Sequence, residues 1–153
     1  MFKLSSSARK FLDLNKDKKV VFTNGCFDIL HVGHLYYLNE AKALGDVLFM
    51  GLNADESIRR LKGEKRPICN EEDRKFFLEN LNAVDFVEIF FEDTPYELIT
   101  AVRPDILVKG GDWKKEDIVG SDVVLKNGGT VKSLSFKNGY STTSLIEKIK
   151  DST

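Results

Sequence analysis

The sequence predicts an α/β fold: one doubly wound domain with a five-stranded parallel sheet flanked by helices. Three observations carry that prediction. Short apolar runs of strand length alternate with amphipathic stretches of helix length along the chain, and the connections between them are brief. Asp46-Val47-Leu48-Phe49-Met50-Gly51-Leu52 is almost continuously apolar, as a strand buried on both faces must be. Polar residues and glycines cluster just after the strand ends, the edge at which such sheets hold ligands.

The elements follow in order. Ser5-Ser6-Ser7 caps one or two turns of helix in a lead-in, residues 1–19, and the domain proper spans 20–150. Val20-Val21-Phe22-Thr23-Asn24-Gly25 is the first strand. A helix from about His34 to Leu44 buries Tyr37, Leu38, Ala41 and Leu44 and stops at Gly45. The second strand ends at Asn53-Ala54-Asp55-Glu56-Ser57, and a strongly basic segment comes next. Asn70 caps a helix with an acidic first turn, Glu71-Glu72-Asp73, and an inward stripe of Arg74, Phe77, Leu78 and Leu81. Val84 to Phe91 is the third strand, and Thr94-Pro95-Tyr96-Glu97 is a capping box for a helix stopped by Pro104. Asp105 to Lys109 is the fourth strand, Ser121 to Lys126 a helix, and Thr130 to Phe136 the fifth strand. Beyond the Asn138-Gly139 turn, Ser141 caps a last helix carrying Leu145, Ile146 and Ile149. This is a Rossmann-like order of elements.

The chain has 153 residues, 42% of them hydrophobic and 31% charged, as expected for one globular domain. A net charge of −1 gives the protein as a whole no electrostatic case for nucleic acid or an anionic membrane, so neither is expected as a partner. No apolar run approaches the ~20 residues that span a bilayer, and a cytoplasmic location is expected. Cys26 and Cys69 lack CxxC spacing and are read as reduced thiols.

Four groups offer chemistry. Asp28-Ile29-Leu30-His31-Val32-Gly33-His34 joins the first strand to its helix, and a helix N-terminus with unpaired N–H groups is a natural seat for phosphate. There His31 and His34 would stabilise a phosphoryl group under attack. Two other readings of the pair stay open: a cap beside an exposed polar residue, and a metal site with Asp28. Arg59-Arg60-Leu61-Lys62-Gly63-Glu64-Lys65-Arg66 places five cations in eight residues; it is either a solvated face or a polyphosphate grip. Lys62 is the candidate for the α- and β-phosphates, and Arg74, on its half-buried stripe, for the β- and γ-phosphates. Lys109-Gly110-Gly111-Asp112-Trp113 lets a ribose or base approach the backbone, with Trp113 read as packing. Ser141-Thr142-Thr143 supplies hydroxyls at a helix start. Asn24, Gly25, Cys26, Phe27 and Gly33 complete the nucleotide-binding candidates, and Asp28, Asn53 and Arg66 are the candidates for the second substrate.

His31-Val32-Gly33-His34 matches an HxGH signature, with Gly25-Cys26-Phe27-Asp28 before it and Gly139-Tyr140-Ser141-Thr142-Thr143 near the end. From Val20 to about Ile149 the chain resembles the cytidylyltransferase-like nucleotidyltransferase family. Arg60-Leu61-Lys62-Gly63-Glu64, Asp93-Thr94-Pro95, Pro104 to Asp112 and Asn127-Gly128-Gly129 are similar to its D-glycero-D-manno-heptose 1-phosphate adenylyltransferase (ADP-heptose synthase) branch. The resemblance implies transfer of AMP from ATP to a heptose 1-phosphate, with Mg²⁺ accompanying the ATP and no protein metal site. It implies that His31 and His34 contact the triphosphate, Lys62 and Arg74 assist, and Ser141 to Thr143 line the phosphate end. Phe136 and Asn138 stand where glycerol-3-phosphate cytidylyltransferases carry an Arg and a Glu, which argues against that branch. Many heptose enzymes are fused to a sugar kinase, which is expected here as a separate upstream protein. A homodimer through Phe90-Phe91 is expected too. The competing readings are FAD synthesis, phospho-alcohol cytidylylation and a non-catalytic nucleotide-binding module.

Overall fold

Five strands, β1 (Val20–Gly25), β2 (Val47–Asn53), β3 (Phe86–Phe90), β4 (Ile106–Gly110) and β5 (Thr130–Leu134), pair in parallel in the order β3-β2-β1-β4-β5. The computed structural model describes residues 1–153, and its helices are α1 (Ser6–Leu14), α2 (Val32–Ala43), α3 (Asp55–Lys62), α4 (Glu71–Glu79), α5 (Tyr96–Val102), α6 (Ser121–Lys126) and α7 (Thr142–Asp151). No helix is long and apolar enough to cross a membrane.

Alternation along the strands creates two cores. Val20 and Phe22 of β1 and Val47 and Phe49 of β2 meet Ala8, Leu98, Ile99 and Val124 beneath α1, α5 and α6. Val21, Leu48, Met50 and Leu52 point the other way and meet Tyr37, Leu38, Ala41 and Leu78 of α2 and α4. Burying one such side chain fully is worth about 2 kcal/mol. Packing of this kind, rather than helix propensity, holds an element as short as α6.

The strand order places the functional edge. It reverses at β1, with β2 and β3 on one side and β4 and β5 on the other, so a crevice forms beyond the carboxyl ends of β1 and β4. The β1–β4 ladder pairs only Val21 with Ile106 and Phe22 with Leu107, whereas β1 pairs with β2 along six positions. Past Phe22 the two strands therefore part, and Asn24 and Gly25 face open space on the β4 side.

Several expectations need correction. The segment after β2 folds into a helix, α3, whose apolar anchor is the fully buried Ile58; its remaining residues are too polar for periodicity to show it. Phe77 is 59% exposed rather than inward, because α4 overhangs the edge strand β3 and only Arg74 and Leu78 reach fully inside. Phe90 is wholly buried in the core while Phe91 is exposed, so the pair does not form the apolar surface expected of it. The box at Thr94 does not form: α5 starts at Tyr96, and Thr94 Oγ1 lies 3.5 Å from the Tyr96 N–H. The lead-in is part of the packing, since Ala8 is fully buried and Glu88 of β3 accepts hydrogen bonds from Ser5 N and Oγ at 2.9 and 2.8 Å.

Candidate functional site

Beyond β1 the chain makes a tight turn in which Phe27 adopts φ 45°, and its ring lies where a side chain at residue 25 would be, 2.7 Å from a Cβ built on Gly25. The turn delivers His31 to the N-cap of α2 and His34 one turn in. Their rings stack with centroids 3.8 Å apart. The His31 N–H donates to His34 Nδ1 at 3.2 Å, so the neutral His34 ring carries its proton on Nε2. His31 Nδ1 is buried without a hydrogen-bond partner, an unmet demand that a polar ligand atom would satisfy. Gly33 is required by contact: a Cβ there would lie 2.7 Å from Tyr140 Cβ and 2.9 Å from the His31 ring.

Burial, reinforced by His31 and Lys62, lowers the His34 pKa to about 4, and burial lowers that of His31 as well. At neutral pH the site thus holds two uncharged imidazoles. An anion placed against them would raise both pKa values.

The imidazoles open onto a cleft of about 320 Å³. Asn24, Gly25, Cys26 and Phe27 form its floor, Lys62 and Arg66 one wall, and Lys109 and Gly110 the end of β4. Ser141 and Thr142 at the start of α7 close the far side, and Ser141 Oγ caps that helix by accepting from Ser144 N at 3.0 Å. Lys62, Lys109 and Lys137 have no carboxylate within salt-bridge distance. Asp28 is the only acidic residue lining the cleft, and it is occupied: it accepts from Arg66 Nε at 2.8 Å and from the N–H groups of Ile68 and Cys69 at 2.9 Å. Burial alone would raise the Asp28 pKa, but those two N–H groups and Arg66 outweigh it and lower the value. With its carboxylate so engaged, Asp28 is not available to complete a metal site with the histidines, and no cluster of three His, Cys, Asp or Glu residues forms elsewhere. The arrangement suits a polyanion.

Four predicted site residues lie outside the cleft lining. Arg74 is 1% exposed, and its guanidinium donates to the carbonyls of Cys69, Cys26 and Asn53 at 2.8–2.9 Å and to Asp55 at 2.7 Å. Those bonds consume four of its five N–H groups, so it positions the β1 turn instead of reaching a phosphate. Asn53 is buried with its amide toward Ser57 at 3.3 Å. Asp112 is exposed past Gly111, whose φ of 108° turns the chain away, and Thr143 is exposed on the outer side of α7. Within the basic run Arg60 pairs with Glu56 and Asp93, so of its five cations only Lys62 and Arg66 line the cleft.

Sequence reasoning missed Lys137 and Tyr140 and treated Phe136 only as a departure from a motif; all three line the cleft. A Cβ on Gly110 would lie 2.6 Å from the Phe136 ring, the contact that brings the segment before α7 over β4. Tyr37, expected in the core, also borders the cleft; its hydroxyl lies 2.6 Å from Thr23 Oγ1, and burial pushes its pKa up to about 12. The available signal was the charge of Lys137 one residue from the Asn138-Gly139 turn.

The cytidylyltransferase-like family model matches residues 22–148. The chain is 55% identical over 138 residues to the bifunctional protein HldE of Wolinella succinogenes, covering 90% of this chain and 28% of that protein. It is 52% identical over 144 residues to the bifunctional protein HldE of Helicobacter pylori, covering 94% of this chain and 30% of that one. The chain thus spans less than a third of the length of these relatives. Among solved structures it resembles a lipopolysaccharide core biosynthesis protein from Thermoplasma volcanium, with a TM-score of 0.62 and 32% identity over 78% of this chain and 97% of that one. A parallel sheet reversing at β1, paired imidazoles at its edge and a family match over most of the length lead to one assignment: the chain belongs to the cytidylyltransferase-like family of nucleotidyltransferases.

Proposed function

We propose that this chain transfers AMP from ATP to a heptose 1-phosphate, releasing pyrophosphate and forming ADP-heptose. The observation that carries the reading is the stacked pair His31 and His34, one with an unmet buried nitrogen, lining the same cleft as three lysines that lack carboxylate partners. The likeness to the HldE proteins and to the lipopolysaccharide core biosynthesis protein supports a sugar phosphate as acceptor rather than a flavin or a phospho-alcohol.

The acceptor's phosphate oxygen is already anionic, so the reaction needs no strong general base. The work left to the protein is alignment and charge neutralisation. In this reading the sugar phosphate oxygen attacks the α-phosphorus, the bond to the bridging oxygen breaks, and pyrophosphate departs. His34 donates from Nε2 and His31 from its ring to phosphoryl oxygens, Lys62 neutralises the α- and β-phosphates, and the first turn of α7 offers N–H groups and hydroxyls. Lys109 and Gly110 border the nucleoside, while Asp28 holds Arg66 toward the acceptor. Because the cleft has no free carboxylate, Mg²⁺ enters this scheme as part of the ATP substrate, without a protein ligand set.

A kinase supplying the 1-phosphate is placed upstream, and the reaction is placed in the cytoplasm. Of the Phe90-Phe91 pair expected at a homodimer interface only Phe91 is exposed, and sedimentation measures whether the chain self-associates. The decisive assay follows pyrophosphate release over a grid of ATP, CTP and GTP against heptose 1-phosphate, FMN and glycerol 3-phosphate. Turnover confined to ATP with heptose 1-phosphate is expected. Preference for CTP, or for FMN as acceptor, would replace the proposal, and tight ATP binding without turnover would favour a binding module.

A further inference from the structure

We propose that Lys137 is a substrate-contacting residue, the cation that meets the departing pyrophosphate from the α7 side of the cleft. The inference rests on the nucleotidyl-transfer reading above and adds a residue that the motifs do not mark. Its starting point is a gap. Arg74, the expected partner of the β- and γ-phosphates, is sealed inside the protein with four of its five N–H groups committed to carbonyls and Asp55. Arg66 shares its charge with Asp28. Both imidazoles are uncharged at neutral pH. A triphosphate entering the cleft therefore meets full positive charge only on Lys62, Lys109 and Lys137.

Of these, Lys137 alone lies on the α7 side. Its ammonium has no carboxylate partner and rests over the ring of Tyr36 on α2, 4.6 Å from the centroid. A cation–π contact at an exposed site is weaker than a charge-assisted bond to phosphate, so a polyanion in the cleft draws the ammonium off the ring. The backbone favours that movement: Lys137 is exposed and precedes Gly139, with φ 86°, and the first turn of α7, whose dipole and Ser141 and Thr142 hydroxyls border the same cleft. Tyr36 thus holds the lysine beside the cleft. Lys62 and Lys137 then grip the polyphosphate from opposite walls.

The test compares wild type, Lys137→Ala, Lys137→Arg and Tyr36→Leu in steady-state kinetics and in binding of ATP, AMP and inorganic pyrophosphate. Losing one charge-assisted phosphate contact predicts a fall of about tenfold or more in kcat/KM for ATP in Lys137→Ala. Pyrophosphate should bind correspondingly more weakly, AMP as in wild type, with the KM for the sugar phosphate and the melting temperature unchanged. Lys137→Arg should restore most of the loss, and Tyr36→Leu should cause a smaller one. Unchanged ATP and pyrophosphate affinity in Lys137→Ala overturns the inference, as does an equal loss for AMP. If wild type prefers another nucleoside triphosphate, the adenylyl reading fails while the comparison of that triphosphate with its monophosphate still judges Lys137. If wild type binds no triphosphate and no pyrophosphate, both fall.

Discussion

Burying the His34 ring, with His31 and Lys62 beside it, lowers its pKa from 6.5 to about 4, which ties proton affinity to folding. Between those values the unfolded chain binds more protons than the folded one, so stability increases with pH across that window. The contribution is complete above about pH 6.5 and is lost as pH falls toward 4, and His31 shifts in the same direction. Urea midpoints of the free protein should therefore fall between pH 7 and pH 5, and His34→Gln, which has no proton to take up, should flatten that dependence. An identical slope in the variant would place the His34 ring in water. The same burial makes the ring a fixed donor, already oriented by the His31 N–H and needing no reorganisation when charge develops. His34→Ala is expected to lower kcat by about 10²-fold or more. Unchanged turnover would remove His34 from the chemistry.

Among the elements, α4 explains why a buried arginine is tolerated. Arg74 reaches from its second turn into the junction of three loops and fastens the carbonyls of Cys26, Asn53 and Cys69. Deleting it strands those acceptors and leaves Asp55 unpaired, a loss of about 3 kcal/mol or more in a buried network. Arg74→Ala should thus lower the melting temperature and the activity together, whereas Lys62→Ala, on the exposed end of α3, should lower activity at unchanged melting temperature. Thermal unfolding beside steady-state rates separates the two, and a fully stable, inactive Arg74→Ala would restore Arg74 to the catalytic set. The sequence showed that Arg74 lies on a half-buried stripe but not what it meets there. Its partners come from residues 26, 53 and 69, and amphipathic spacing on one helix says nothing of carbonyls on other segments. Helix α3 was hidden for a related reason: with Ile58 as its one fully buried aliphatic, its charge pattern outweighs its apolar one.

For the molecule as a whole, local patterns settled which segments are strands, because the wholly buried β2 and the buried run that opens β1 have no other stable use for their apolar residues. Sheet order then brought the HxGH turn, Lys109 and the start of α7 to one edge, and these were legible as motifs. The walls of the cleft were not: Phe136, Lys137 and Tyr140 line the same cleft as the β1 turn only because β4 parts from β1 and the segment after β5 folds back over the gap. That closure also concentrates charge. The chain is nearly neutral at −1, yet three lysines without acidic partners line one cleft whose single carboxylate is spent on Arg66. Electrostatic attraction for a polyanion is thus local and partly open to solvent, so it is screened by salt, while the folded state, held mainly by its two apolar layers, is not. Raising ionic strength from about 0.05 to 0.5 M, which shortens the screening length from more than 10 Å to less than 5 Å, should increase the KM for ATP several-fold with little change in melting temperature. The dependence should weaken in Lys62→Ala and Lys137→Ala, because each removes a charge that salt would otherwise screen. A KM indifferent to salt in all three proteins would mean that nucleotide is held by backbone and shape, with the lysines of the cleft merely solvated.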